Sequence, residues 1–364
     1  MIIQDVVNLL EDYAPLAYAE DFDNVGLLIG DKNEKLTGVL VTLDTLECVV
    51  DEAIENNCNL IVSFHPIIFK GLKSLTGKSY VERTVLKAIK NNIAIYAIHT
   101  ALDNHINGVN DIISDTLKLK NKQILIPQKQ TIKKLVTFVP NKNADRLRTA
   151  LFNAGAGSIG NYNNCSFNIE GIGTFNGNEN SNPVLGEKGI TQFENETQIS
   201  LTYGKHLESK ILSALFKNHP YEEVAYEITT IENTNQHIGI GMIGELDQAM
   251  SEIEFLAYLK TKMKTNTIRH SNLLGKPIKK VAVLGGSGAF AISAAKANGA
   301  DIFVTADLKY HDFFSAENTL ILADIGHYES EQFTKNGLVA HLTKKISNFA
   351  IVLSNKNTNP VKYF

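Results

Sequence analysis

Apolar residues at Ile2, Val6, Leu9, Leu10 and Tyr13 recur at the three- and four-residue spacing of one helical face, and Pro15 closes the pattern. The period then changes. Gly38-Val-Leu-Val-Thr-Leu43 is a short apolar run ended by Asp44, which predicts a buried strand. Over 47–57, Val50, Ala53 and Ile54 restore helical spacing, and 60–64 predicts a second strand broken by His65-Pro66. Residues 81–91 read as a helix with Val85, Leu86 and Ile89 on one face, and 93–98 as a strand running into His99. Short apolar strands alternating with amphipathic helices predict a mainly parallel sheet.

The same alternation returns near the C-terminus: strands over 280–284, 301–305 and 320–325, helices over 289–298 and most of 330–346. Val39, Val41, Ala53, Asn56 and Val62 reappear as Val281, Val283, Ala295, Asn298 and Val304, each 242 positions on. His99-x-x-x-Asp103 is answered by His327-x-x-x-Glu331. The echo predicts an α/β fold of two pseudo-equivalent α/β lobes forming one core domain. Residues 131–232 differ, being rich in Asn, Gly, Glu and Thr, with strand patterns at 134–139 and 198–203 and helices over 144–153 and 207–217. They read as a small inserted α+β domain. The core is then discontinuous, 1–130 plus 233–364, with hinges just after Ile126 and at 233–236.

Composition narrows the function class. Lys and Arg number 35 against 39 Asp and Glu, a formal charge of −4 with the signs mixed, so no polybasic footprint for nucleic acid or anionic lipid stands out. No apolar run reaches the ~18 residues that span a bilayer. No secretory leader is visible at Met1-Ile2-Ile3, so cytoplasm is the expected compartment. Cys48, Cys58 and Cys165 show neither a disulfide framework nor thiolate zinc spacing. No Gly-x-Ser-x-Gly elbow or Cys/His pairing points to a covalent nucleophile.

Chemistry-bearing side chains cluster at predicted strand ends, where α/β folds build their sites. His65, Asp103, His327 and Glu331 offer two imidazoles and two carboxylates, a donor set suited to Zn²⁺, Mn²⁺, Fe²⁺ or Co²⁺. If a helix starts at His327, Glu331 lies on its face four residues on, and a carboxylate there can bridge two cations. Each residue also has a plain structural reading: a hydrogen-bonded strand-end His, Asp103 as a helix N-cap, a polar helix face for the HxxxE pair. His99 is a candidate supporting residue or proton shuttle. Asp44 and Asp307 are candidates to hold imidazole nitrogens, and His311 a weaker one. Leu284-Gly-Gly-Ser-Gly288 follows a strand and precedes a helix, so its amides could cradle an anion or simply form a tight turn. The 155–160 glycine loop reads as structure. His219-Pro-Tyr-Glu-Glu223 reads as an interdomain or subunit contact.

Asp23-Asn-Val-Gly26, Ile61-Val-Ser-Phe-His-Pro-Ile-Ile-Phe69, His99-Thr-Ala-Leu-Asp103 with Gly108-Val-Asn110, and Asp324-Ile-Gly-His-Tyr-Glu-Ser-Glu331 resemble the interacting-factor-three-like family, whose bacterial members are labelled GTP cyclohydrolase 1 type 2 homologues. The resemblance covers nearly the whole chain. The middle segment, through 155–162, Cys165-Ser-Phe167 and 219–223, is similar to the PII/CutA-like insert of the longer members. The resemblance implies two divalent cations per chain, zinc first among the candidates, held by His65, Asp103, His327 and Glu331, and a toroidal homohexamer. Two departures stand out: Phe64 where family members carry a first His before His65-Pro66, and Ala306 where they tend to carry Gly. A benzyl group cannot bind metal, so one position should lack a ligand.

Two classes of function follow. One is a metal-dependent hydrolase of a nucleotide or related heterocycle, with a metal-dependent phosphoester hydrolase beside it. The other is a non-enzymatic metal-binding scaffold or regulatory protein whose insert senses a small-molecule ligand or partner. An enzyme needs an open coordination position beside a pocket, whereas a scaffold site is closed.

Overall fold

The computed structural model describes residues 1–364, which divide into two compact units, 1–127 with 237–364, and 128–236. The first unit begins with α1 (Ile3–Tyr13), β1 (Gly26–Ile29), β2 (Val39–Thr42), α2 (Glu47–Glu55), β3 (Leu60–Ser63), α3 (Tyr80–Lys90), β4 (Ala94–Ala97), α4 (His99–Asp103), α5 (Val109–Thr116) and β5 (Lys120–Pro127). The second unit holds β6 (Ile132–Pro140), α6 (Ala144–Asn153), β7 (Phe167–Phe175), β8 (Gln192–Gly204), α7 (Glu208–Asn218) and β9 (Tyr226–Ile231). The chain returns to the first unit with β10 (Gly239–Met250), α8 (Glu252–Lys262), β11 (Arg269–His270), β12 (Ile278–Ser287), α9 (Ile292–Ala297), β13 (Ile302–Ala306), β14 (Ile321–Asp324), α10 (His327–Glu331), α11 (Thr334–Lys345) and β15 (Ile351–Leu353).

Two sheets build the first unit, ordered β1-β4-β3-β2-β15 and β11-β14-β13-β12-β10-β5. The first has four parallel strands, β15, β2, β3 and β4, and the second three, β12, β13 and β14; each run ends against an antiparallel edge strand, β1 beside β4 and β11 beside β14. The sequence echo keeps register: Val41 pairs with Val62, and 242 residues later Val283 pairs with Val304. One face of each sheet joins a shared core. Val39, Val62, Val281 and Val304 pack there with Leu10 of α1, Phe255 of α8 and Leu342 of α11. The outer faces are closed by α2 and α3 on one sheet and α9 on the other. Local signals set the helix starts. The Ser79 hydroxyl accepts from the Glu82 N–H (3.2 Å) at α3, and Ser251 with Glu254 forms a capping box at α8.

The second unit is a four-stranded antiparallel sheet, β7-β8-β6-β9, with α6 and α7 packed on one face. Leu135, Val139, Ile199 and Leu201 are buried beneath those helices. Strand alternation therefore leaves Phe138, Glu196 and Gln198 on the opposite face. No helix of the chain is long and apolar enough to cross a membrane. All three cysteines are free.

Candidate metal centre

Each polar residue of the centre leaves the carboxyl end of a parallel strand. His65 follows β3, His99 opens α4 just past β4, Asp307 follows β13, and His327 opens α10 after β14. The turns are tightly determined. Gly326 has φ +93°, and a Cβ there would meet Glu329 Oε2 at 2.3 Å. Asp307 holds φ +56° without being glycine, a strained backbone of the kind found at functional sites. Because α10 is five residues long and runs from His327 to Glu331, both side chains project from one face.

His65, His327 and Glu331 converge, with one donor atom from each within 4.8 Å of the others. His65 Nε2 lies 3.1 Å and His327 Nε2 3.3 Å from the same oxygen, Glu331 Oε2. That oxygen is buried and has no aligned hydrogen bond. Two ring nitrogens aimed at a shared point beside a carboxylate oxygen, without hydrogen-bond alignment, match ligands of one cation. Bonds of about 2.0–2.2 Å in a tetrahedral shell put neighbouring donor atoms roughly 3.3 Å apart. Gly286, φ +72°, makes room: a Cβ there would fall 2.6 Å from Glu331 Oε1.

The Nδ1 atoms are held from behind. His65 Nδ1–H donates to Asp44 Oδ1 (2.8 Å) and His327 Nδ1–H to Asp307 Oδ2 (2.6 Å). Thr358 Oγ1 donates to Asp44 Oδ2 (2.5 Å) and Ser287 Oγ to Asp307 Oδ2 (2.5 Å). A carboxylate on Nδ1–H fixes the tautomer that leaves Nε2 free as a donor. Burial pulls the His65 pKa down, but the Asp44 hydrogen bond and the Glu331 charge override it and raise it to about 10. The same opposition, won mainly by Glu331, raises His327 to about 9. Burial works against Glu331 as well, yet the two imidazoles lower its pKa to about 2.

Asp103 is not among the converging atoms. It lies on α4, buried, with Oδ1 lacking any hydrogen-bond partner, and burial together with the Glu331 charge raises its pKa well above the usual range. His99 stands with its ring 5.2 Å from that of His65, and its Nδ1–H donates to Asp23 Oδ1 (2.9 Å). Asp23, whose role the sequence did not indicate, also accepts from the Thr100 N–H (3.1 Å) and hydroxyl (2.5 Å). His311 packs against Tyr310 and Phe314.

Of the two readings of 284–288, the Gly285 and Gly286 amides favour the tight turn. The Gly285 N–H donates to Asn110 Oδ1 (3.0 Å) and the Gly286 N–H to Ser330 Oγ (2.9 Å), so both amides are committed within the fold. The loop is a brace: Asn110 also donates to the Asp103 carbonyl (3.2 Å), tying α5 and α4 to β12.

A cavity of about 540 Å³ opens against the centre. His65, His327, Asp44 and Asp307 form part of its wall. Arg269, Tyr328 and Tyr363 line it too, and none of these three was singled out in the sequence. The Arg269 guanidinium pairs with Asp324 and donates to the Leu308 carbonyl (2.7 Å).

The chain matches the family described as Duf34/NIF3 (NGG1p interacting factor 3) over residues 1–360. It is 39% identical over 366 aligned positions to a Bacillus subtilis protein named GTP cyclohydrolase 1 type 2 homolog, covering 99% of this chain and 98% of that one. Its structure is similar to that of a Bacillus cereus protein related to NIF3, with TM-score 0.87, 36% identity, and 100% and 99% of the two chains covered. A Staphylococcus aureus protein gives TM-score 0.81 at 34% identity with the same coverage.

Proposed function

Because the chain belongs to the Duf34/NIF3 family, we propose that it is a divalent-cation-dependent hydrolase acting on a nucleotide or related heterocycle. One observation carries the proposal: His65 and His327, the two imidazoles that converge on the buried Glu331, lie on the wall of a cavity of about 540 Å³, within the size range of small-molecule sites. A closed scaffold site would have no such space beside it. The two orphaned buried oxygens, Glu331 Oε2 and Asp103 Oδ1, are acceptors that a cation would satisfy.

His65, His327 and Glu331 would hold the first cation, and Asp103 with Glu331 the second. When bound, such a cation supplies Lewis acidity and lowers the pKa of water toward about 7. Asp44 and Asp307 keep the imidazoles oriented. Arg269 offers a guanidinium to an anionic group of the substrate, and Tyr328 and Tyr363 offer ring faces to a heterocycle. His99, which does not line the cavity, supports the His65 side. The relatives' name, GTP cyclohydrolase 1 type 2 homolog, makes GTP the first substrate to try. With the same membership we propose that 128–236 is the PII/CutA-like insert and that the chain assembles as a toroidal homohexamer.

The test is incubation of the protein, loaded in turn with Zn²⁺, Mn²⁺, Fe²⁺ and Co²⁺, with GTP and other nucleotides. Formate release reports ring opening and inorganic phosphate reports phosphoester cleavage. Turnover lost in His327→Ala supports the proposal. Protein that retains its cations yet turns over no nucleotide overturns it.

Phe64 makes the two positions unequal. It is fully buried, with its ring 4.8 Å from that of His65, and contributes no donor atom. Protein purified without chelator is expected to carry about one tightly held ion per chain by elemental mass spectrometry, and Phe64→His to raise the content toward about two. Equal content in the two proteins would show that position 64 does not limit the second cation.

A further inference from the structure

We propose that the helix-free face of the sheet in 128–236 binds a small organic cation, an amine, amidine or guanidine carried on an apolar or aromatic body. A cavity of about 610 Å³ sits on this face, away from the helices, and its walls come from the 128–236 unit alone. That volume is in the range of small-molecule sites. Phe138, Ile169, Phe175, Val184 and Leu185 supply apolar wall.

The polar chemistry is one-sided. Glu196 lines the cavity with 8% of its surface exposed, and its hydrogen-bond partner is the neutral Tyr221 hydroxyl (2.7 Å). No Lys or Arg pairs with it or lines the cavity, whereas Glu222 and Glu223 do. A buried carboxylate ordinarily finds a cation or several donors, and this one has neither. A ligand ammonium or amidinium would complete it. The Tyr221 and Phe175 rings, with centroids 5.7 Å apart, add aromatic faces that favour a cation.

Two glycines in β7 leave the floor bare. Gly171 is the direct cross-strand partner of Glu196, and a Cβ on it would meet nothing within 4 Å. A Cβ on Gly173 would lie 2.1 Å from Glu196 Oε2, so that glycine gives the carboxylate its place. Glycine inside a strand weakens it and often marks where a ligand approaches the backbone. The 219–223 motif thereby gains a specific part. His219 Nε2 bonds the Phe138 carbonyl (2.9 Å) and its Nδ1 accepts from the Tyr221 N–H (3.2 Å), which fixes Tyr221 against Glu196. Glu222 Oε1 accepts from the Asn182 N–H (2.6 Å) and ties down the loop that carries Val184 and Leu185.

The probes are phenethylamine and its neutral counterpart 2-phenylethanol, titrated by calorimetry into the full chain. Phenethylamine is expected to bind at least tenfold more tightly than the alcohol, and at least tenfold more weakly to Glu196→Gln than to the unaltered protein. Gly171→Val, which leaves Glu196 in place and has open space for its side chain, is expected to abolish binding with an unchanged melting temperature. Equal binding of amine and alcohol overturns the proposal, as does amine binding indifferent to both substitutions or no binding at millimolar amine. If Gly171→Val alters the oligomeric mass and leaves amine affinity unchanged, the face belongs to a second copy and the proposal fails.

Discussion

Glu331→Ala is expected to lower cation affinity at neutral pH by at least about 100-fold, more than any other single substitution at the centre. Glu331 is the anionic donor at the point where both imidazoles converge, and its side chain is 3% exposed. Without it, a cation retains two neutral nitrogens and a distant Asp103. The substitution also strips His65 and His327 of one of the charges that raise their pKa values, so both should fall, His327 further than His65, which Asp44 still holds up. Asp44→Ala and Asp307→Ala act only through the ring they orient, and about 10- to 100-fold is expected for each. Calorimetric titration of Zn²⁺ or Mn²⁺ into chelator-treated protein measures all three. Glu331→Ala binding as tightly as Asp44→Ala would mean that the cation does not sit on Oε2.

The sequence exposes this centre unevenly, for physical reasons. His65 and His327 stand out because strands with apolar runs of four or five residues stop abruptly at a polar side chain, and that contrast survives without any structure. The 242-residue echo is legible because buried β-branched positions are tightly constrained, and the pairs Val41–Val62 and Val283–Val304 keep one register. Asp23 stands in a motif of the resemblance, but its part is not legible, because it lies 76 residues from the His99 ring it holds, in a segment without periodicity. Arg269 sits on a two-residue edge strand too short to leave a pattern, and Tyr363 lies beyond the last strand. The glycine loop stays ambiguous in the sequence for a related reason. A run of free-looking amides suggests an anion site, yet their acceptors, Asn110 and Ser330, lie 175 and 44 residues away. Strand β7 escapes notice because seven of the nine positions of Phe167–Phe175 are exposed and none is buried, and an exposed strand has no apolar alternation to show.

Cation binding and the stability of the cation-free protein are expected to depend on pH in opposite directions between about 6.5 and 10. His65 and His327 have folded-state pKa values raised to about 10 and about 9, above the ordinary 6.5. In the cation-free fold at pH 7 both rings are therefore protonated and stabilised by Glu331, Asp44 and Asp307. A raised pKa contributes stability that is fully present below the unfolded value and lost as pH climbs through the folded one. The melting temperature of chelator-treated protein should accordingly fall from pH 6.5 toward 10. A cation needs the Nε2 lone pairs, so binding displaces those protons, and apparent affinity should rise by up to about 100-fold per pH unit until the rings titrate. Glu331 sets the acid edge. Its pKa is lowered from 4.5 to about 2, so its contribution is present above 4.5 and lost as pH falls toward 2. Melting curves across pH 5 to about 10, with chelator and with excess Mn²⁺, measure both slopes. The gap between the two curves should widen with pH, and calorimetry in buffers of different ionisation enthalpy should count up to about two protons released per ion at pH 7. Parallel curves with no proton release would mean that the ion binds somewhere other than the two imidazoles.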